Sequence, residues 1–118
     1  MNYTILIHET PENFAARSDP QQHGRLFSDI GHYLQALKAA GVYVGGAGLQ
    51  PPEIATSIRM RNGGRMVQDG PFADTKEQLG GFFLINVRDR DAAIHWASLY
   101  PIRGNEVVEL RPNLPPVE

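Results

Sequence analysis

The stretch Val67-Gln68-Asp69-Gly70-Pro71-Phe72-Ala73-Asp74-Thr75-Lys76-Glu77-Gln78-Leu79-Gly80-Gly81-Phe82-Phe83, continued by Leu84-Ile85-Asn86-Val87, decides the fold. It reads as a strand ending at Gly70-Pro71, a polar connection, and then a strongly apolar strand. Side chains alternate faces along a strand, so Phe83, Ile85 and Val87 share one side and Phe82 and Leu84 the other. A strand that is apolar on both sides needs cover on both. The polar run Asp74 to Gln78 predicts a short helical turn over Thr75 to Leu79, in which Thr75 acts as a cap.

Upstream, Asn62-Gly63-Gly64 supplies the positive φ angles of a tight hairpin between strands Ile54 to Arg61 and Arg65 to Asp69. Pro51-Pro52 separates that hairpin from a strand beginning at Val42-Tyr43-Val44 and running into Gly45-Gly46-Ala47-Gly48, where the glycines predict a bulge or close backbone approach. Leu26, Ile30, Tyr33, Leu34 and Leu37 recur at helical spacing between His23 and Ala40, and Gly41 stands where a left-handed C-cap belongs. Tyr3 to His8 reads as the first strand, and residues 9–22 as a loop with a helical turn near Phe14. Downstream, Asp89 caps a helix through Ala92, Ala93, Trp96, Ala97 and Tyr100 that Pro101 stops, and Glu106 to Leu110 forms a last strand.

This order predicts an α+β domain of ferredoxin-like split βαβ type with an inserted hairpin, spanning residues 1–112, followed by a Pro-rich tail over 113–118. Helices of such a domain cover one sheet face. The other face needs a partner, and a second copy, hence a homodimer, is the simplest supplier.

Composition narrows the chemistry. Eleven basic against 13 acidic side chains give a net charge of -2, and the basic residues are scattered, so no nucleic-acid stripe is expected. Arg59, Arg61 and Arg65 merely flank the hairpin turn, where solvated charge is common. The absence of cysteine excludes disulfides, thiolate metal sites and a cysteine nucleophile. The four histidines show no metal-ligand spacing, and Pro51-Pro52 follows the glycine run where a dinucleotide-binding helix would start, so neither metal nor cofactor is expected. With no apolar run of about 20 residues and no signal-like segment over Met1 to Ile7, a cytoplasmic location away from the membrane is expected.

The quoted stretch, together with Val44-Gly45-Gly46-Ala47-Gly48-Leu49-Gln50-Pro51-Pro52, closely resembles the YCII-related family, in the branch marked by Asp-Gly-Pro-Phe. The likeness extends to the opening Tyr3 to Ile7 strand and the closing Val107 to Pro112. It implies a dimeric α+β barrel in which two ferredoxin-like sheets pack face to face. Some members of the family are proposed enzymes using a histidine and an aspartate, and members of this branch often accompany extracytoplasmic-function sigma factors.

Asp69 belongs to the motif and stands at a strand end, suited either to general base work or to accepting backbone N–H bonds in its own turn. His8, at the end of the first strand, is the second catalytic candidate. Lys76 and Glu77 in the polar connection, Phe72 on the loop, and His23 near the start of the long helix are ligand-binding candidates. Two functional readings stand. One is a homodimer with a cleft for a small organic ligand near the Asp69 segment, capable of acid and base chemistry. The other is a non-catalytic accessory or regulatory protein linked to a sigma-factor pathway.

Overall fold

The computed structural model describes residues 1–116, so the last two residues of the expected tail lie outside the described region. Nine main elements follow one another: β1 (Asn2–Glu9), α1 (Pro11–Ala16), α2 (Pro20–Ala39), β2 (Tyr43–Gly48), β3 (Thr56–Arg61), β4 (Gly64–Asp69), β5 (Gln78–Asn86), α3 (Arg90–Ser98) and β6 (Val107–Pro112). β2, β5, β1 and β6 make one antiparallel sheet in that spatial order, which is the ferredoxin-like arrangement. β3 and β4 pair only with each other, as the inserted hairpin. Its turn uses Asn62 (φ 52°) and Gly63 (φ 81°), both in the left-handed region that the Asn-Gly pair tolerates.

The alternation of β1 separates the two sides of the sheet. Tyr3, Ile5, Ile7 and Glu9 are buried, whereas Thr4, Leu6 and His8 are half-buried on the opposite face. On the inner side Ile5, Leu37 and Ile85 are fully buried with Tyr33, Ala93, Ala97 and Tyr100, so α2 and α3 cover this face. Tyr33 and Tyr100 meet edge to face at 5.4 Å, and the Tyr33 hydroxyl donates to the Trp96 carbonyl at 2.7 Å, which satisfies the only polar atom of that ring inside the core. Among the described residues no helix packs over Leu6, Phe82 and Leu84 on the outer side, and all three are half-buried.

Three local features differ from the sequence expectations, each because a side chain takes over a backbone partner. Residues 9–22 hold more helix than one turn: Thr10 accepts from the Asn13 amide to start α1, and Asp19 accepts from the Gln21 amide at 2.9 Å to start α2 three residues before His23. A proline occupies the first helical position of both. Thr75 to Leu79 is not helical. There the Gln78 amide nitrogen donates to the carbonyls of Ala73 (2.8 Å) and Thr75 (3.2 Å), while Gln78 itself pairs with Glu9 and opens β5.

The expected glycine bulge lies between Tyr43 and Gly45, and the close approach falls at Gly46. A Cβ on Gly46 would stand 2.5 Å from the Phe82 carbonyl oxygen, a backbone atom that cannot swing away, whereas one on Gly48 would meet nothing within 4 Å. Gly46→Ala is therefore expected to cost about 1–3 kcal/mol of stability and Gly48→Ala well under 1. Urea unfolding of the two variants checks this; equal midpoints would show that β2 is not held against β5 as described.

Candidate functional site

On the outer face, His8 and Glu109 meet across the β1–β6 pair. His8 Nε2 lies 2.8 Å from Glu109 Oε1, with both side chains partly open to solvent. A carboxylate only accepts, so the ring nitrogen facing it carries a proton, and in the neutral ring Nδ1 is then an acceptor. Leu6 stands opposite both Glu109 and Phe82, and Leu84 lies farther along the same face, opposite Thr4.

The Asp69 to Phe72 turn is built from its backbone. The Gly70 amide donates to the Ala55 carbonyl at 2.6 Å, and the Ser57 hydroxyl donates to the Gly70 carbonyl at 2.7 Å, while Gly70 takes φ 95°. The Asp69 carboxylate is exposed and has no hydrogen-bond partner among the described residues. It pairs with Thr56, so it shares a hairpin face with Ile58, Met60 and Val67, which are 64%, 61% and 67% exposed. Phe72 is 82% exposed. Lys76 and Glu77 are exposed on the connection into β5, with the Glu77 carbonyl accepting from the Thr75 hydroxyl. The Lys76 charge contributes to holding the Glu12 carboxyl below its ordinary range, after the backbone and Thr10 bonds that Glu12 accepts. His23 lies on the first turn of α2, its Nδ1 3.0 Å from the Arg17 carbonyl and its ring 4.4 Å from that of Phe27. Within one chain these residues do not converge: His8 is on the sheet, Asp69 at the base of the hairpin, and His23 on the helical side.

The sheet's inner face carries an ion cluster that the sequence did not announce. Glu9 is buried and bonded to both Arg17 and Arg103, with the Arg103 contact at 3.2 Å. Arg17 also donates to the carbonyls of Gly80 and Leu49, tying α1 to β5 and to the end of β2. Any Cβ at Gly80 would overlap the Glu9 carboxylate, so the glycine makes room for the ion pair. Glu106 closes the set, accepting from the Arg103 amide at 2.7 Å and from its guanidinium at 3.2 Å. The phase of Glu9, two residues past Ile7 on an inward-pointing register, is the signal from which its burial follows. Arg103 and Glu106 join it only through the loop before β6, which local periodicity does not reveal.

Among the described residues, no group of three or more His, Asp or Glu side chains is placed to hold a metal ion. Nor is any helix long and apolar enough to cross a membrane.

Fold and sheet face together define a ferredoxin-like α+β domain with one uncovered face carrying a histidine–carboxylate pair. The chain belongs to the YCII-related domain family, whose model matches residues 1–115. It is similar to an uncharacterised protein of Rhizobium meliloti (strain 1021), 33% identical over 97 residues that span 82% of this chain and 77% of that protein.

Burial pushes the Glu106 carboxyl from the ordinary 4.5 up to about 7, with the neighbouring Glu9 adding to the shift and Arg103 opposing it. Between those two values the folded chain holds a proton that the unfolded chain releases. Stability should thus fall as pH rises from about 4.5 to about 7 and then level off, as far as this group is concerned. Thermal melts of wild type and Glu106→Gln across that range check the sign: the variant should lack this slope, and superimposable pH profiles would contradict it.

Proposed function

We propose that this YCII-related protein binds a small organic ligand over the outer sheet face, in a chamber completed by a second copy of the chain, with His8 as the acid–base group. The observation that carries this reading is the His8–Glu109 pair on an uncovered, largely apolar sheet face. Nδ1 would take a proton from the ligand, and Glu109 would stabilise the resulting imidazolium, a division of labour that needs no other group. Asp69, at the base of the exposed hairpin, is a second proton acceptor once a partner brings the hairpin over the face. Lys76 and Glu77 would hold polar groups of the ligand and Phe72 would close on its apolar part, whereas His23, on the helical side, stands outside this chamber.

Shape supports the partner. The radius of gyration is 16.2 Å and the extents are 48 × 47 × 18 Å, whereas a compact domain of this length has a radius near about 13.5 Å. The excess comes from a hairpin that stands apart from the sheet with its apolar residues in solvent. Apolar surface of this kind is what a homodimer would bury. It would equally serve a non-catalytic accessory protein, including one in a sigma-factor pathway, if the occupant were a different protein.

Sedimentation at micromolar concentration should show a dimer that Val67→Asp or Leu84→Asp splits; a monomeric wild type would sink the shared chamber. For the ligand, thermal-shift screening of small metabolites should find a compound that stabilises wild type, by about 2.7 kcal/mol at a hundredfold excess over its Kd. His8→Asn should lose most of that gain. Equal shifts in wild type, His8→Asn and Asp69→Ala would count against this site and favour the accessory role.

A further inference from the structure

On the helical side of the sheet, a groove of about 340 Å³ opens between α1, the start of α2 and the loop before β6. Its polar lining is Asn13, Gln21, Gln22, Arg25 and Arg103, joined by Gly104, and no carboxylate lines it. That composition is unusual in a chain with more acidic than basic residues. The groove's size matches that of a compact small-molecule site.

The geometry holds Arg103 and its loop in place before any ligand arrives. Asn13 donates to the Arg103 carbonyl at 3.2 Å, and Gly104 takes φ 52°, with its Cα side facing the Asn13 amide so closely that a Cβ would stand 3.0 Å from Asn13 Oδ1. The loop is fixed against α1. Arg103 spends only one terminal nitrogen, Nη2, on Glu9 and Glu106. Its Nε is buried with no partner, and Nη1 has none among the described residues. Glu9 and Glu106 thus orient the guanidinium from behind while leaving much of its donor capacity unused. Arg25 is exposed on α2, and among the described residues its side chain likewise has no partner. Gln22 is anchored through Asp19 at 2.7 Å.

We propose that this groove is a binding site for a small organic anion, a carboxylate or a phosphate, gripped between the guanidinium groups of Arg103 and Arg25 with the Gln21 amide as a third donor. Planar guanidinium forks suit both anions, and a charged hydrogen bond to such a group carries about 1.5–3 kcal/mol. The site lies on the face opposite His8, so it stands or falls independently of the chamber.

The test uses the full chain and two probes, inorganic phosphate and succinate, titrated at constant ionic strength and followed by backbone amide NMR. Saturable shifts confined to residues around Asn13, Gln21, Arg25 and Gly104 are expected with at least one probe, and which one saturates tells phosphate from carboxylate. Arg25→Gln, at an exposed position, should weaken binding about tenfold or more. Arg103→Lys, which keeps a charge but loses the fork, should weaken it as well, with a thermal melt of that variant confirming that it is folded. Linear, non-saturating shifts with both probes would overturn the proposal. So would unchanged affinity in Arg25→Gln.

Discussion

The alternation of β1 is the constraint on which the rest of the structure depends. Eight residues send Tyr3, Ile5, Ile7 and Glu9 to one side and Thr4, Leu6 and His8 to the other. A slip of one residue would put His8 in the core and Ile7 in solvent, so the register is strongly specified. The inner phase recruits α2 and α3, and its last member is a carboxylate whose burial demands cations. Arg17 and Arg103 supply them, and in doing so fix α1, the end of β2 and the loop before β6. Ions buried in this way rarely add net stability over an apolar replacement, but removing one partner leaves a stranded charge at a cost of about 3–5 kcal/mol. The cluster is therefore better regarded as a device that fixes geometry than as a store of stability.

Much of the fold was legible because it is written in local patterns. Phe83, Ile85 and Val87 against Phe82 and Leu84 marked an apolar strand whose inner side the helices cover; Asp89 capped α3 through its carboxylate, and Gly41 (φ 73°), with no Cβ to oppose that backbone, ended α2. The starts of α1 and α2 and the connection before β5 were read less well, since Thr10, Asp19 and Gln78 make their decisive bonds through side chains rather than through periodicity. The site was legible in part. His8 stood out as a strand-end histidine, but its partner Glu109 lies 101 residues away and becomes a neighbour only when β6 pairs with β1. The burial of Glu9 could have been read from its phase on β1, but its partner Arg103 was invisible for the same reason as Glu109, since it reaches Glu9 only through the loop before β6.

The two faces divide the possible chemistry. The inner side offers a donor-rich groove beside a set of ion pairs. The outer side offers a histidine paired with a carboxylate beside apolar residues that one chain leaves half-buried. Phe82 and Leu84 lie on that side, and the hairpin carrying Ile58, Met60 and Val67 extends from the body with no cover of its own.

Solvent paramagnetic relaxation measured on side-chain methyl groups tests this account most directly. Ile5 and Ile85, fully buried, and Leu114, 91% exposed, calibrate the two extremes within the same sample. With a second copy over that face, a soluble gadolinium chelate should leave the methyls of Leu6 and Leu84 nearly as protected as those of Ile5. Relaxation of Leu6 and Leu84 approaching that of Leu114 would contradict it, because the face that presents His8 would then be open to water.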